Sequence, residues 1–178
     1  MKVVFLDIDG VLQPYESEDH FYAYDSYTKK LINNLSEKYH VDYTKYNIDD
    51  VLSVYYEWHK SAVDRLKRIL EETGAKIIIS SDWKNDALPK KMQDLLKIHE
   101  LDKYWYCDNI IIRKPLLVQE LRYLEIQDSL NRYPIDNFVV LDDIPDLEFF
   151  YPNNSVITYD YLSINDMNEA IKILKKVR

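Results

Sequence analysis

Four carboxylates and a hydroxyl stand in this chain where three apolar runs stop. Val3-Val4-Phe5-Leu6 runs into Asp7 and Asp9, Lys76-Ile77-Ile78-Ile79 into Ser80, and Phe138-Val139-Val140-Leu141 into Asp142 and Asp143. In a parallel sheet the C-terminal ends of the strands share one edge, where ligands bind. If the runs are such strands, topology alone gathers these groups. Carboxylates held close together repel and rise in pKa. A hard divalent cation relieves that repulsion, and Mg2+ suits a few carboxylates, water and a phosphate oxygen. It would also let an anionic nucleophile approach an anionic substrate. Taken singly, each Asp is an ordinary loop residue or helix cap after a strand. Three such tips in this order, with Gly10 directly after the first pair, make a shared site the simpler explanation. The chain has two glycines, Gly10 and Gly74, so Gly10 marks a tight backbone turn beside the site.

The elements that must position these groups alternate. Lys2–Leu6, Ala75–Ile79, Asn137–Leu141 and Ser155–Tyr159 read as strands, and Tyr104–Ile112 has the β-branched and aromatic composition for another. Helices are predicted over about Ser26–Tyr39, Ile48–Thr73, Leu88–His99 with Pro89 in its first turn, Leu116–Arg132, and Ile164–Val177. Asp49 and Asp50 favour the N-terminal end of the second helix, and Gly74 is placed to cap its C-terminus. Strands alternating with helices of this length imply βαβ units and a mostly parallel sheet. Continuous apolar strands fit a sheet covered on both faces. The expected fold is a three-layer, Rossmann-like α/β sandwich. It forms one domain over residues 1–178, with a small helical cap insertion at about 13–50.

Composition excludes several classes. The formal net charge of −8 and a pI near 5.0 argue against a general electrostatic grip on nucleic acid, leaving room only for a local basic groove. The histidines, His20, His40, His59 and His99, lack zinc-site spacing. Cys107 stands alone and reads as a thiol in a reducing compartment. No apolar run approaches the roughly 18–20 residues that span a bilayer, and residues 1–6 enter a strand rather than a leader. A soluble, cytoplasmic protein with no membrane partner is expected.

Asp7-Ile8-Asp9-Gly10-Val11-Leu12 after a buried strand resembles the first motif of the haloacid-dehalogenase (HAD) superfamily. Ser80 after three isoleucines resembles its second motif, and Asp142-Asp143 its fourth. Thr73–Lys84 and Arg122-Tyr123-Leu124-Glu125-Ile126 resemble a narrower group, the HAD domains associated with RNA-repair proteins. The superfamily places a Lys or Arg before the fourth-motif strand to neutralise phosphate. Lys114, followed by Pro115, and Arg122 are the two candidates.

The resemblance implies a magnesium-dependent phosphatase. Asp7 would attack phosphorus and carry an aspartyl-phosphate, while Asp9 would act as general acid and then base. Asp7, Asp142 and Asp9, the last through its backbone carbonyl, would hold Mg2+, with Asp143 either a further ligand or a partner one shell out. Ser80 with Arg122 or Lys114 would bind the phosphoryl oxygens. Lys84 is either a further site cation or an exposed one at a helix start. Asp146 is a candidate tether for the loop after the fourth motif. The substrate would be a phosphorylated metabolite, a nucleotide or a polynucleotide end. Nine of the sixteen tyrosines lie between Tyr15 and Tyr56. They either stack on a base or pack the core of the insertion. The competing reading is a catalytically degenerate HAD domain that binds a phosphorylated ligand or a protein.

Overall fold

The computed structural model describes residues 1–15, 25–86, 88, 90–111, 114 and 116–176, so His20, Tyr22, Tyr24, Pro89, Ile112, Pro115 and Val177 lie outside the described residues. Five strands, β1 (Lys2–Leu6), β2 (Lys76–Ile79), β3 (Trp105–Asp108), β4 (Asn137–Asp142) and β5 (Ser155–Ile157), form one sheet in the order β3-β2-β1-β4-β5. Every pairing is parallel. Leu6 stands opposite both Ile79 and Leu141, and Ile79 opposite Asp108. The three apolar runs are therefore adjacent strands whose tips are level.

Side chains alternate across a strand, and here the alternation divides two cores. Val4, Leu6, Ile77, Ile79, Val139 and Leu141 face one apolar cluster. Val3, Phe5, Ile78, Phe138 and Val140 face the other. Helices α1 (Ser26–Tyr39), α2 (Ile48–Tyr56), α3 (Lys60–Thr73), α4 (Lys91–Leu96) and α7 (Ile164–Lys175) seal the first face. Helix α5 (Val118–Arg132) and the short α6 (Leu147–Phe150) cover the second. The molecule is a three-layer α/β sandwich with both sheet faces covered. Among the described residues no helix is long and apolar enough to cross a membrane.

Local chemistry explains most boundaries. Asp25 caps α1 by accepting from the Thr28 N–H at 2.9 Å. Ser163 and Asp166 form a reciprocal capping box on α7. Gly74 ends α3 at φ 68°, its N–H donating to the Leu70 carbonyl. The single helix expected over Ile48–Thr73 is in fact two. The N–H groups of Glu57 and Trp58 both donate to the Ser53 carbonyl, and the His59 N–H donates to the Leu12 carbonyl at 2.7 Å. This break buries Trp58, which stacks on His99. Neither Gly nor Pro marks it; tertiary packing overrides helix propensity there. The helix expected over Leu88–His99 is shorter: α4 occupies Lys91–Leu96 and a 3-10 turn follows over Lys97–His99.

The described part of the 13–50 insertion is built into the main core. Ile32, Leu35, Val41, Tyr43 and Tyr46 share a cluster with Val4 and Leu6. Its tyrosines fasten it sideways: Tyr43 and Tyr46 donate to Asp94 at 2.7 Å each, and Tyr39 donates to the Ile98 carbonyl. An ion pair at 2.7 Å between the buried Lys91 and the half-buried Asp50 adds a further link to α4.

Candidate active site

The sheet ladder continues one residue past the strand ends. The Asp7 N–H donates to the Leu141 carbonyl, Ser80 N–H to Leu6, and Asn109 N–H to Ile79. Asn109, Ser80, Asp7 and Asp142 therefore form one row across four neighbouring strands. All four are buried. Ser80 Oγ and Asn109 Nδ2 are buried without a hydrogen-bond partner among the described residues. Buried polar atoms are nearly always satisfied, so donors left open at a strand edge fit a ligand with oxygen acceptors.

The turn after β1 closes tightly around Ile8, whose carbonyl accepts from the N–H groups of Val11, Leu12 and Gln13. Gly10 adopts φ 69°, and a Cβ there would lie 2.8 Å from both Asp143 Cβ and the Tyr15 ring. The missing side chain lets the β1 and β4 tips approach. Asp7, Asp142 and Asp143 each bring one carboxylate oxygen within 4.8 Å of the others. Beside them opens a cavity of about 230 Å³ lined by Asp7, Asp9, Tyr15, Ser81, Asp82, Val118, Arg122, Asp143 and Ile144.

Among the described residues Arg122 is the cation on this cavity wall, and it is buried. Its Nη1 lies 3.1 Å from Asp7 Oδ1 and 2.8 Å from Asp142 Oδ2. Helix α5 presents Arg122, Glu125, Ile126 and Ser129 as its buried face, the spacing of one helical stripe. Each polar member reaches a different strand tip. Arg122 takes the β1 and β4 tips. Glu125 takes the β2 tip through Lys84, whose ammonium lies 2.9 Å from the Glu125 carboxylate and donates to the Ser80 and Ser81 carbonyls. Ser129 takes the β3 tip by donating to Asn109 Oδ1. The 3-10 turn Asp82–Asp86 fans out in consecutive residues. Asp82 lines the cavity, Trp83 donates from Nε1 to Asp9 Oδ2 at 3.0 Å, and Lys84 turns down to α5.

Electrostatics follow from burial. Desolvation pushes the Asp142 carboxyl upward against the pull of Arg122, and Asp7 adds to the rise. Burial, then Asp7, pushes Asp143 up to about 6. Burial also raises Asp9, opposed by the Trp83 indole and reinforced by Asp7. Burial alone would lower Arg122, but Asp7 and Asp142 raise it further, so it stays charged. Acids displaced upward around one guanidinium form a site short of positive charge, which a divalent cation would supply.

The structure brings Asp7, Asp9, Ser80, Arg122, Asp142 and Asp143 to one sheet edge. The Asp9 carboxylate lies outside the three-carboxylate group and is engaged by Trp83. Lys114 stands exposed at a bend and does not line the cavity. Lys84 is neither an exposed cation nor a cavity residue; its charge is buried against Glu125. Asp146 is exposed at the start of α6, away from the cavity lining. Sequence reasoning did not single out Ser81, Asp82, Trp83 and Asn109 as site residues. For the first three, adjacency to Ser80 at a strand tip was an available signal. Of the inserted tyrosines among the described residues, Tyr15 lines the cavity, while Tyr39, Tyr43 and Tyr46 bond to α4 and the turn after it.

A family model described as the HAD domain in Swiss Army Knife RNA repair proteins matches residues 3–166. No curated protein and no solved structure matches the chain.

Proposed function

Because the chain belongs to the family of HAD domains in Swiss Army Knife RNA repair proteins, we propose that it is a cation-dependent phosphohydrolase that cleaves phosphomonoesters through a covalent intermediate on Asp7. The observation that carries this reading is the meeting of Asp7, Asp142 and Asp143 within 4.8 Å beside a cavity that Asp9 and Arg122 also line.

The residues fit Mg2+. Asp7, Asp142 and Asp143 would hold it, with Asp9 contributing its backbone carbonyl. When bound, the ion neutralises charge on the phosphoryl oxygens and lets a carboxylate approach them. The rest is work for the chain. Asp7 attacks phosphorus as the leaving oxygen departs, and Asp9 gives that oxygen a proton. Asp9 then takes a proton from the water that displaces Asp7 from phosphorus. Arg122 and Ser80 donate to the phosphoryl oxygens, over which the charge of the transferring group is spread. The open Ser80 hydroxyl supports that role.

The substrate class we favour is a nucleotide or a polynucleotide end over a phosphorylated metabolite without a base. Two things support this: the RNA-repair proteins for which the family is described, and the Tyr15 ring on the cavity wall. A panel of sugar phosphates, mononucleotides and end-phosphorylated oligonucleotides tests the choice; preference for a sugar phosphate defeats it.

The activity itself is tested with 4-nitrophenyl phosphate. Phosphate release is expected with Mg2+, to cease with EDTA, and to be abolished by Asp7→Asn, which keeps the side-chain volume and removes the nucleophile. Parent-rate hydrolysis by Asp7→Asn would overturn the mechanism. Phosphate binding with no release in Mg2+ would leave the chain a binding module, a reading that gives Asp9 no task.

A further inference from the structure

The geometry points to Trp83 as the positioning residue that aims the Asp9 carboxyl at the leaving oxygen. This rests on the reading of Asp9 as the proton donor. Trp83 does not line the cavity, so it acts through Asp9.

The indole N–H of Trp83 donates to Asp9 Oδ2 at 3.0 Å. An indole nitrogen can only donate, so the oxygen it faces must be an acceptor. The carbonyl oxygen of a neutral carboxyl is its better acceptor, so this bond favours the transferable proton of Asp9 on Oδ1. The same bond survives ionisation, because Oδ2 accepts in either protonation state. Trp83 thus fixes the plane of the carboxyl through both halves of the cycle. In the first, the Oδ1 proton passes to the leaving oxygen as its bond to phosphorus breaks and the Asp7–phosphorus bond forms. In the second, Oδ1 receives a proton from water as the water oxygen bonds phosphorus and the Asp7 bond breaks.

Trp83 is itself held. Its ring lies 6.2 Å from that of Trp58, which stacks on His99 at 5.4 Å and an interplanar angle of 11°. His99 Nε2 bonds the Val54 carbonyl at 2.7 Å. The break between α2 and α3 buries Trp58 and so braces the residue that orients Asp9. Positioning on this scale matters, since a displacement of about 1 Å can cost about 100-fold in rate.

The test is Trp83→Phe, which keeps a ring and removes the donor, assayed with Mg2+ on phenyl, 4-nitrophenyl and 2,4-dinitrophenyl phosphate. Dinitrophenolate leaves without needing a proton, whereas phenolate needs one more. The expected result is a loss in kcat/KM of about tenfold or more for phenyl phosphate, a part of what general acid catalysis supplies. For the dinitrophenyl ester, kcat/KM should hardly change. An equal loss across the series, or none, overturns the role. Asp9→Asn on the same esters separates the two layers. If its loss is also independent of the leaving group, the acid role of Asp9 falls; if only the Trp83→Phe loss is uniform, Trp83 alone falls.

A second measurement does not depend on Trp83→Phe folding. The chain has three tryptophans; Trp105 donates to Asp108 Oδ1, and Trp58 Nε1 has no partner among the described residues. In spectra of 15N-tryptophan-labelled protein, Asp9→Ala should move the Trp83 indole signal and leave that of Trp105 in place. An unmoved Trp83 signal overturns the bond.

Discussion

At the scale of single residues, the two basic candidates part company. Arg122 is buried against Asp7 and Asp142, whereas Lys114 is exposed at a bend. Arg122→Ala is expected to lower kcat/KM by about 100-fold or more, the usual cost of one aimed donor. Lys114→Ala should stay within about twofold, as exposed substitutions do. Steady-state kinetics on one aryl phosphate decides, and a reversed order would return the third motif to Lys114. The sequence left this choice open because spacing along a chain does not say which way a side chain turns. The carboxylates were easier to read: Asp7, Asp9, Asp142 and Asp143 each follow an uninterrupted apolar run, so the strand itself addresses them. Lys84 was opaque for the opposite reason. Its partner Glu125 lies on a helix far along the chain, and nothing near Lys84 in sequence predicts a buried charge.

At the scale of elements, α5 is fastened by polar groups where an apolar stripe would be usual. Its sequence reads as helix by propensity rather than by periodicity, since Arg122, Glu125 and Ser129 occupy the inward face. Removing one partner of the buried Lys84–Glu125 pair strands the other charge, at a cost of about 3–5 kcal/mol. Glu125→Leu is therefore expected to lower Tm by about 6–20 °C. Lys84→Met with Glu125→Leu should recover most of that, because an apolar pair of similar volume has no charge to desolvate. Thermal melts of both variants check this, and a single variant that melts with the parent would show the pair to be idle. Element boundaries were legible where local groups set them, as at Asp25, Gly74 and Ser163. They were not where packing set them. The break at residues 57–59 exists because Trp58 turns into the core, and no turn-forming residue announces it.

At the scale of the whole molecule, the crowded acids couple stability to pH. Without a cation, Asp142 and Asp143 lie above the ordinary value of 3.8. Between that value and about 6 for Asp143, the folded chain holds more protons than the unfolded one. Stability from these groups is then fullest at low pH and is lost as pH rises through their folded values. A bound cation reverses the sign, because it competes with protons for the carboxylates. Mg2+ at 100 times its Kd should stabilise by about 2.7 kcal/mol, or about 5–11 °C, at about pH 8, and by far less at about pH 5. Melting curves at both pH values check this; an equal gain would mean that the ion binds away from the strand tips. The link between the Leu12 carbonyl and the His59 N–H has a consequence for how such a chain can change. The excursion from residue 13 to residue 58 departs and returns through a doorway one hydrogen bond wide. Altering the length of a chain segment with joined ends costs free energy only logarithmically. A replacement that reseals the sheet face beneath it could therefore be grafted at the doorway while the strand tips keep their places.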